Sequence, residues 1–595
     1  MRREAPLPRP AAALTHQRWP SLVGGLFVAL GFLVAGCGSK EPISPPSPAD
    51  PAGHVFDPNR VIEVAIEMAP ADWESLRNQN RTWLDFAAAP NRQCLAHPIE
   101  TPFTDFPATV TFDGVRRERV GVRKKGFIGS LDVQKPALRL KFDEFVPDQT
   151  LHGLKRLTLS NSKQDPTYLR QCLAFQIFAA GGIPTPRCTF ARVTLNGADL
   201  GVYINIESID KTFLRHHFED ENGDLWDGLF SDFRRDWTLS FAKKTNEPDD
   251  PAQADRGALD EVATILSDST PDGQLLRKLE KVFDVDRFLT FWATEVVMQH
   301  WDGYSNQTNN FLVYRNPKDE RFVMIPWGLD QMTVQDPYQQ PKPPASVYAR
   351  GVLARRLYRN PDTQPLYLAR LRRVLDEQWR EDELLAEVER LRALVMPALS
   401  RSGADVVAVE QAIDGLRTFI RGRRTVLLAD LAGGPHVWND PLRPEPCVDL
   451  LGQMDGSFGT SFGTLGRDDF SNGTSRLAGT LRGRQVTTQF GGSTAGWDTN
   501  PSSNPPWPIV HLQVAGVDGL DYQLWIGVDP QYFISGANLS LDQGQAWGFV
   551  GYWNPATRAW TDGGSIANGQ VRLDRAGLAD GGAVSGRISG WVVQW

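Results

Sequence analysis

His300-Trp-Asp-Gly-Tyr-Ser-Asn-Gln-Thr-Asn-Asn-Phe-Leu-Val-Tyr314, continued after a charged turn by Arg321-Phe-Val-Met-Ile-Pro-Trp-Gly-Leu-Asp-Gln-Met-Thr333, is the stretch on which the reading of this chain turns. Residues 311–314 and 321–325 are short, apolar, β-favouring runs, and residues 316–320 between them carry turn chemistry, so the stretch predicts a helix end, a polar loop and a hairpin. Two polar loops are thereby held close together. One offers Asp302, Asn306, Asn309 and Asn310, and the other offers Asp330 just past a strand end. Carboxylates and amides are hard oxygen ligands suited to Mg²⁺, and an Asp that opens such a loop is placed to accept a hydroxyl proton.

A loop Asp and a downstream Asn, followed by a hairpin ending in a further Asp, is similar to the protein-kinase arrangement. His300-x-Asp302, Asn309-Asn310-x-x-x-Tyr314 and Ile325-Pro-Trp-Gly-x-Asp330-Gln together resemble the CotH kinase family, secreted kinase-like proteins named after a spore coat protein. The resemblance covers roughly residues 59–333. It implies an α+β, atypical kinase-like two-lobe domain that uses ATP and Mg²⁺. Asp302 would be the catalytic base, and Asn310 and Asp330 the metal ligands. Members of the family often carry Asp-x-Asp after the Pro-Trp, and Gly328 stands here in place of the first acid.

The N-terminal side fits the same scheme. Residues 108–125 read as β-structure with an Asp113-Gly114 turn, and 135–142 alternate basic and apolar residues on a strand. A glycine-containing loop, 126–130, lies between them, and kinases cover and neutralise ATP phosphates with such a layout. The family's similar Arg-x-Lys-Gly stretch makes Arg123, Lys125, Lys135 and Lys141 phosphate-contact candidates, with Lys141 chosen for the invariant-lysine role because Arg139 and Lys141 share a strand face. The helix expected from Asp165 to about Ala180 offers Gln171 and Gln176 but no acid to pair with that lysine. After a hairpin turning at Asn196-Gly197, Gly201-Val-Tyr-x-x-x-Glu207-x-x-Asp210 is another string similar to the family's. It makes Glu207 a nucleotide-contact candidate, with helix N-terminal charge as the alternative. His300 reads as a structural residue tying its loop by a hydrogen bond.

The 595 residues suggest several domains, and the net charge of −8 gives no sign of a nucleic-acid partner. Arginines precede an apolar run at 22–34 that is too short and glycine-rich for a comfortable membrane span, and the run ends in a lipobox-like Leu33-Val-Ala-Gly-Cys37. Residues 1–36 are therefore expected to be a lipoprotein signal peptide, with lipidated Cys37 the membrane attachment and 37–55 a Pro/Ser-rich tether. The expected protein is an exported bacterial lipoprotein of the outer membrane or cell surface. The remaining cysteines, Cys94, Cys172, Cys188 and Cys447, allow three disulfide connectivities. Cys172 on a helix and Cys188 at the next strand are placed to pair, with buried free thiols as the alternative.

The kinase-like domain is read as 56–432, with an N-lobe to about 207 and a helical C-lobe from 208. The Pro-rich segment at 335–344 is expected to be mobile, 433–447 is a linker, and 448–595 is a Gly- and Trp-rich β-sandwich or jelly roll. The leading function is a Ser/Thr protein kinase acting on secreted or envelope proteins. The alternative is a kinase-like module that binds or adheres without transfer.

Overall fold

The structure, a computed structural model, describes residues 51–594 apart from 82–92, 95–96, 100, 128, 236, 249–252, 337–341, 467–471 and 499–505. The signal peptide, Cys37 and most of the tether lie outside the described residues. The end of the expected tether is folded, because Ala52, Val55 and Phe56 are buried in the core of the first barrel.

That barrel follows from alternation in short strands. In chain order the first part holds β1 (Val61–Glu67), α1 (Pro70–Asn78), β2 (Gln93–Cys94), β3 (Phe106–Phe112), β4 (Val115–Lys125), β5 (Ala137–Lys141), β6 (Arg156–Ser160), α2 (Arg170–Ala180), β7 (Cys188–Leu195) and β8 (Ala198–Glu207). Strands β1, β3, β4, β5, β6, β8 and β7 close on one another, with β1 and β7 as the parallel seam. Leu138 and Leu140 point inward, and Arg139 and Lys141 point out. Asn196 and Gly197 have φ of 49° and 81°, the doubly positive pair that a tight hairpin turn needs. Helix α2 begins at Arg170 rather than Asp165, because the Asp165 carboxylate accepts the N–H groups of Thr167 and Arg170 and holds the intervening residues as a turn.

The middle part holds α3 (Lys211–His217), β9 (Asp224–Asp227), β10 (Ala242–Lys243), α4 (Gly257–Leu266), α5 (Asp272–Leu279), α6 (Val285–Val297), α7 (Tyr304–Gln307), β11 (Phe311–Arg315), β12 (Phe322–Pro326), α8 (Val352–Arg359), α9 (Gln364–Glu377), α10 (Glu381–Arg401) and α11 (Val406–Ala432). The predicted hairpin is β11–β12, in a small sheet ordered β10-β9-β11-β12. One continuous core joins the helices to the outer wall of the barrel: Phe190, Val202, Ile204 and Ile206 pack with α2, α6 and the later helices. Within it Trp292 stacks on Tyr367 with ring centroids 3.6 Å apart.

The last part holds β13 (Cys447–Ser461), β14 (Thr474–Leu481), β15 (Arg484–Trp497), β16 (Pro508–Gly516), β17 (Asp521–Val528), β18 (Asn538–Ser540), β19 (Ala546–Asn554), β20 (Ala559–Ala576) and β21 (Ala583–Gln594). Here the expected sandwich gives way to a second closed barrel, since β13 bonds both β14 and β21 and the antiparallel ladder returns to its start. Its inward residues, among them Met454, Leu512, Tyr522, Leu524, Val550 and Ile588, are buried and fill the interior.

The expected linker is also packed. Trp438 is buried in the helical core, Arg355 bonds the carbonyl of Asp440, and the Arg443 N–H bonds the carbonyl of Arg350 at 2.9 Å. Cys172 and Cys188 form one disulfide, tying α2 to β7, and Cys94 and Cys447 form the other, fastening β2 to the start of the second barrel. No helix among the described residues is long and apolar enough to cross a membrane.

Candidate active site

The loop after α6 is built on a buried acid. Glu295, 1% exposed on a helix whose other neighbours are apolar, accepts the backbone N–H groups of Tyr304 and Ser305 at 2.8 and 2.9 Å. It thereby satisfies orphan donors at the start of α7, and burial pushes its pKa up to about 7. A Cβ at Gly303 would lie 2.2 Å from the Glu295 carboxylate, so only glycine lets the two approach. His300 is fully buried and neither ring nitrogen has a hydrogen-bond partner among the described residues, so the expected side-chain tie is not found there. Its backbone N–H makes the tie instead, to the carbonyl of Glu295 at 2.9 Å, and burial pushes the imidazole down to about 3, leaving it neutral.

This frame presents Asp302. Asn309 donates to its Oδ1 at 3.1 Å and Asn310 to its Oδ2 at 2.8 Å, which fixes both carboxylate oxygens. Residues 303–309 are buried, while Asp302 and Asn310 keep part of their surface open. Thr308 and Asn310 have φ of 51° and 53°, a left-handed backbone that costs energy in residues bearing a Cβ and is common where a site is held in shape. The Asp302 carboxyl is pushed up to about 7, chiefly by burial, with the charges of Asp330 and Asp336 adding to it.

Asp330 enters from the turn after β12, and its pKa is raised to about 6 by burial and then by the charge of Asp165. Gly328, two residues earlier, has φ of 55°, and a Cβ there would lie 2.3 Å from Asn310 Oδ1. Asn310 thus fills the space in front of the position where the family often has an acid. Asp336, in the segment expected to be mobile, is buried and accepts from Asn306 at 2.8 Å and Gln307 at 2.9 Å.

The structure divides the basic candidates. Lys141 pairs with Glu144 at 2.6 Å, and Lys135 donates to the Val202 carbonyl at 2.6 Å beneath the rings of Tyr168 and Tyr203, so the cationic ends of both are already engaged. Glu207 is 1% exposed and bonded by Arg187 at 2.7 Å, which makes it an internal ion-pair residue rather than a nucleotide contact. Lys125 and Arg123 remain. They share one face of β4, the Lys125 Nζ sits 4.1 Å from the ring centre of Trp327, and the buried Nε of Arg123 has no hydrogen-bond partner. Burial, with a neighbouring arginine, pushes Arg123 down to about 10, and burial takes Lys125 down to about 7.

Phe127 and Ser130 are tied to each other. Ser130 Oγ bonds the N–H and the carbonyl of Phe127 at 3.0 and 2.9 Å. Phe127 itself packs on Val448, Ala567 and Val593 of the second barrel.

A family model described as CotH kinase protein matches residues 122–427, more than half of the 595. The chain belongs to the CotH kinase protein family. Inner spore coat protein H of Bacillus subtilis (strain 168) is 25% identical over 269 residues, covering 42% of this chain and 72% of that one. Invasin CotH3 of Rhizopus delemar is 28% identical over 174 residues, and invasin CotH2 27% over 180. This CotH chain spans 28% and 30% of those fungal proteins. The stretch of this CotH protein that carries Asp302, Asn310 and Asp330 lies inside the matched region, as do Arg123 and Lys125, whereas the second barrel lies beyond it.

Sequence reasoning missed Glu295, Asp336 and Trp327 as parts of the site. An acid among the apolar residues of the last turns of α6, Trp292, Ala293, Val296 and Val297, was a signal available for Glu295. Asp336 had none, because its burial depends on Asn306 and Gln307 reaching it from another loop.

Proposed function

We propose that the protein is an extracytoplasmic kinase that transfers the γ-phosphate of ATP to Ser or Thr of secreted or envelope proteins. Asp302 and Asp330 come from separate connections that Asn310 joins, donating to Asp302 Oδ2 at 2.8 Å and lying against Gly328 two residues before Asp330, and this is the observation that carries the reading. The charge of Asp330 helps hold the Asp302 carboxyl up. Asp302, held on both oxygens by amides, orients the acceptor hydroxyl and takes its proton. Arg123 and Lys125 face the phosphates. Asn310 and Asp330 offer oxygen ligands for Mg²⁺, which keeps waters and phosphate oxygens in its shell and seldom needs an all-protein cage. Bound there, the ion neutralises phosphate charge, and the chain contributes mainly positioning.

Among the described residues the tightest Cys/Asp/Glu cluster is elsewhere, at Cys94, Glu445 and Cys447, and its two sulfurs are joined to each other. The two disulfides support an oxidising compartment, and relatives named as a spore coat protein and an invasin support a surface or extracellular setting. Lipidation at Cys37 and outer-membrane attachment complete the proposal.

At a nucleotide concentration of about 100 times Kd, binding stabilises the fold by about 2.7 kcal/mol. MgATP is expected to raise the melting temperature of the wild type accordingly, and Asp330→Ala is expected to lose the Mg²⁺-dependent part of that rise. Equal shifts in both proteins would remove Asp330 from the metal.

Lys125 provides a second check. An amine with a pKa near 7 is largely unprotonated at pH 8, where an ordinary lysine is not. Trinitrophenylation followed by peptide mapping is expected to show Lys125 reacting with a midpoint near pH 7 and MgATP slowing the reaction. A midpoint near 10, or no effect of nucleotide, counts against its place beside the phosphates.

The binding-module reading draws on Gly328, where one carboxylate fewer is available for metal. Wild-type protein that shows no nucleotide stabilisation with its fold intact decides for that reading.

A further inference from the structure

Near the loop that presents Asp302 stand two arginines, Arg350 and Arg443, that the transfer scheme leaves unused. The Arg350 N–H bonds the carbonyl of Ser305 at 2.8 Å, in the loop that presents Asp302. The Arg443 N–H bonds the carbonyl of Arg350 at 2.9 Å, and the Arg443 carbonyl accepts from Arg234 at 2.7 Å. Backbone hydrogen bonds thus fix the two arginines side by side against the loop. Arg234 is already engaged, by Asp232 at 3.2 Å and by the face of Trp237. Arg350 and Arg443 are not: each has a buried Nε without a hydrogen-bond partner, and neither guanidinium forms an ion pair among the described residues. Both are half-buried.

The charges around Arg443 are Arg350, Asp336, Asp302 and Arg234, and burial together with Arg350 pushes it down to about 10. Asp336 faces both arginines and Asp440 faces Arg350, yet neither acid forms an ion pair with them among the described residues, so the two like charges in partial shelter from water still favour an anion that bonds both. The charges around Arg123 and Lys125 form a separate set, with Asp105, Arg139, Asp227 and Lys244 prominent in it, so the cations on the β4 side are distinct from this pair.

We propose that Arg350 and Arg443 form a subsite for an anionic side chain of the protein substrate, beside the Ser or Thr that Asp302 receives. The guanidinium fork matches a carboxylate or a phosphate with paired hydrogen bonds. The favoured segments therefore carry Asp, Glu or an already phosphorylated residue near the acceptor. Arg350 lies inside the family-matched residues 122–427 and Arg443 outside them, so the pair joins a residue of the matched region to one of the segment that follows it. The inference rests on the kinase reading for the identity of the acceptor, and its test is a binding measurement that needs no transfer.

Fluorescein-labelled Ser peptides with acidic, phosphoserine, neutral or basic flanks are titrated by anisotropy into the full chain, alongside the MgATP melting assay. Wild type is expected to bind the anionic peptides at least tenfold tighter than the neutral one, since a charge-assisted bond contributes about 1.5–3 kcal/mol. Arg443→Gln and Arg350→Gln are each expected to lose that margin while retaining the nucleotide shift. Phosphoserine tighter than acidic assigns the subsite to phosphate, and the reverse assigns it to carboxylate. Arg443→Glu should turn the preference toward the basic peptide, a gain that misfolding cannot imitate. Equal binding of all peptides to wild type, or an anionic preference that survives in both glutamine variants, overturns the subsite. Anionic preference without any nucleotide shift keeps the subsite and overturns the kinase reading.

Discussion

Asp302→Asn is expected to lower phosphoryl transfer by a factor of about 10²–10⁴, the usual contribution of a positioned proton acceptor, with the fold and the nucleotide-induced melting shift retained. The asparagine is isosteric, and one of its atoms can still accept from Asn309 or Asn310, so the 302–310 loop keeps its shape. The measurement is single-turnover transfer of labelled γ-phosphate to a Ser peptide or to the protein itself, wild type against variant. Within the same scheme, Glu295→Ala acts differently. It leaves the N–H groups of Tyr304 and Ser305 buried without a partner and destabilises the whole loop, so a melting curve separates the two variants. Transfer by Asp302→Asn at the wild-type rate sinks the assignment.

The second large effect concerns the disulfide from Cys94 to Cys447, which closes a sequence separation of 353 residues. In the chain-entropy account, a loop of that size restrains the unfolded chain by roughly 5–6 kcal/mol, against about 3 kcal/mol for the loop between Cys172 and Cys188. Replacing both Cys94 and Cys447 with Ser is therefore expected to lower the denaturation midpoint more than the same change at Cys172 and Cys188. The consequence reaches the site. Cys447 opens β13, and its neighbour Val448 packs on Phe127, so loosening the staple frees the loop next to Arg123 and Lys125. Fully burying a Phe side chain contributes about 1.5–3 kcal/mol, and half-buried Phe127 gains part of that from this contact. Limited proteolysis in the 126–130 region, with and without the disulfide, reads the effect. An unchanged midpoint and an unchanged cleavage rate would falsify the coupling.

Much of the candidate site was legible because its parts are local in sequence. The β11–β12 hairpin, the amide-rich loop before it and the Asp after it lie within residues 300–333, where turn residues and apolar runs carry the information. The choice between the candidate lysines was not legible. Lys141 and Lys125 sit on equivalent outward strand faces, and only the position of Glu144, which neutralises Lys141, and of Trp327, which receives Lys125, tells them apart. Closure of the second barrel was invisible for a related reason: β13 pairs with β21, more than a hundred residues later, and no local pattern distinguishes a ladder that returns from one that stops. The proline-rich segment after α11 was read as a linker because composition reports backbone preference. The burial of Trp438 and the bond from Arg443 to Arg350 are tertiary facts.

Phe127 gives a practical warning to anyone shortening this chain. A fragment ending where the family match ends, at residue 427, omits Val448, Ala567 and Val593 and turns a covered aromatic ring toward water near Arg123 and Lys125. Such a fragment would carry every residue assigned to transfer and still be a poor stand-in for the intact protein, so low activity from it would indict the cut before the chemistry.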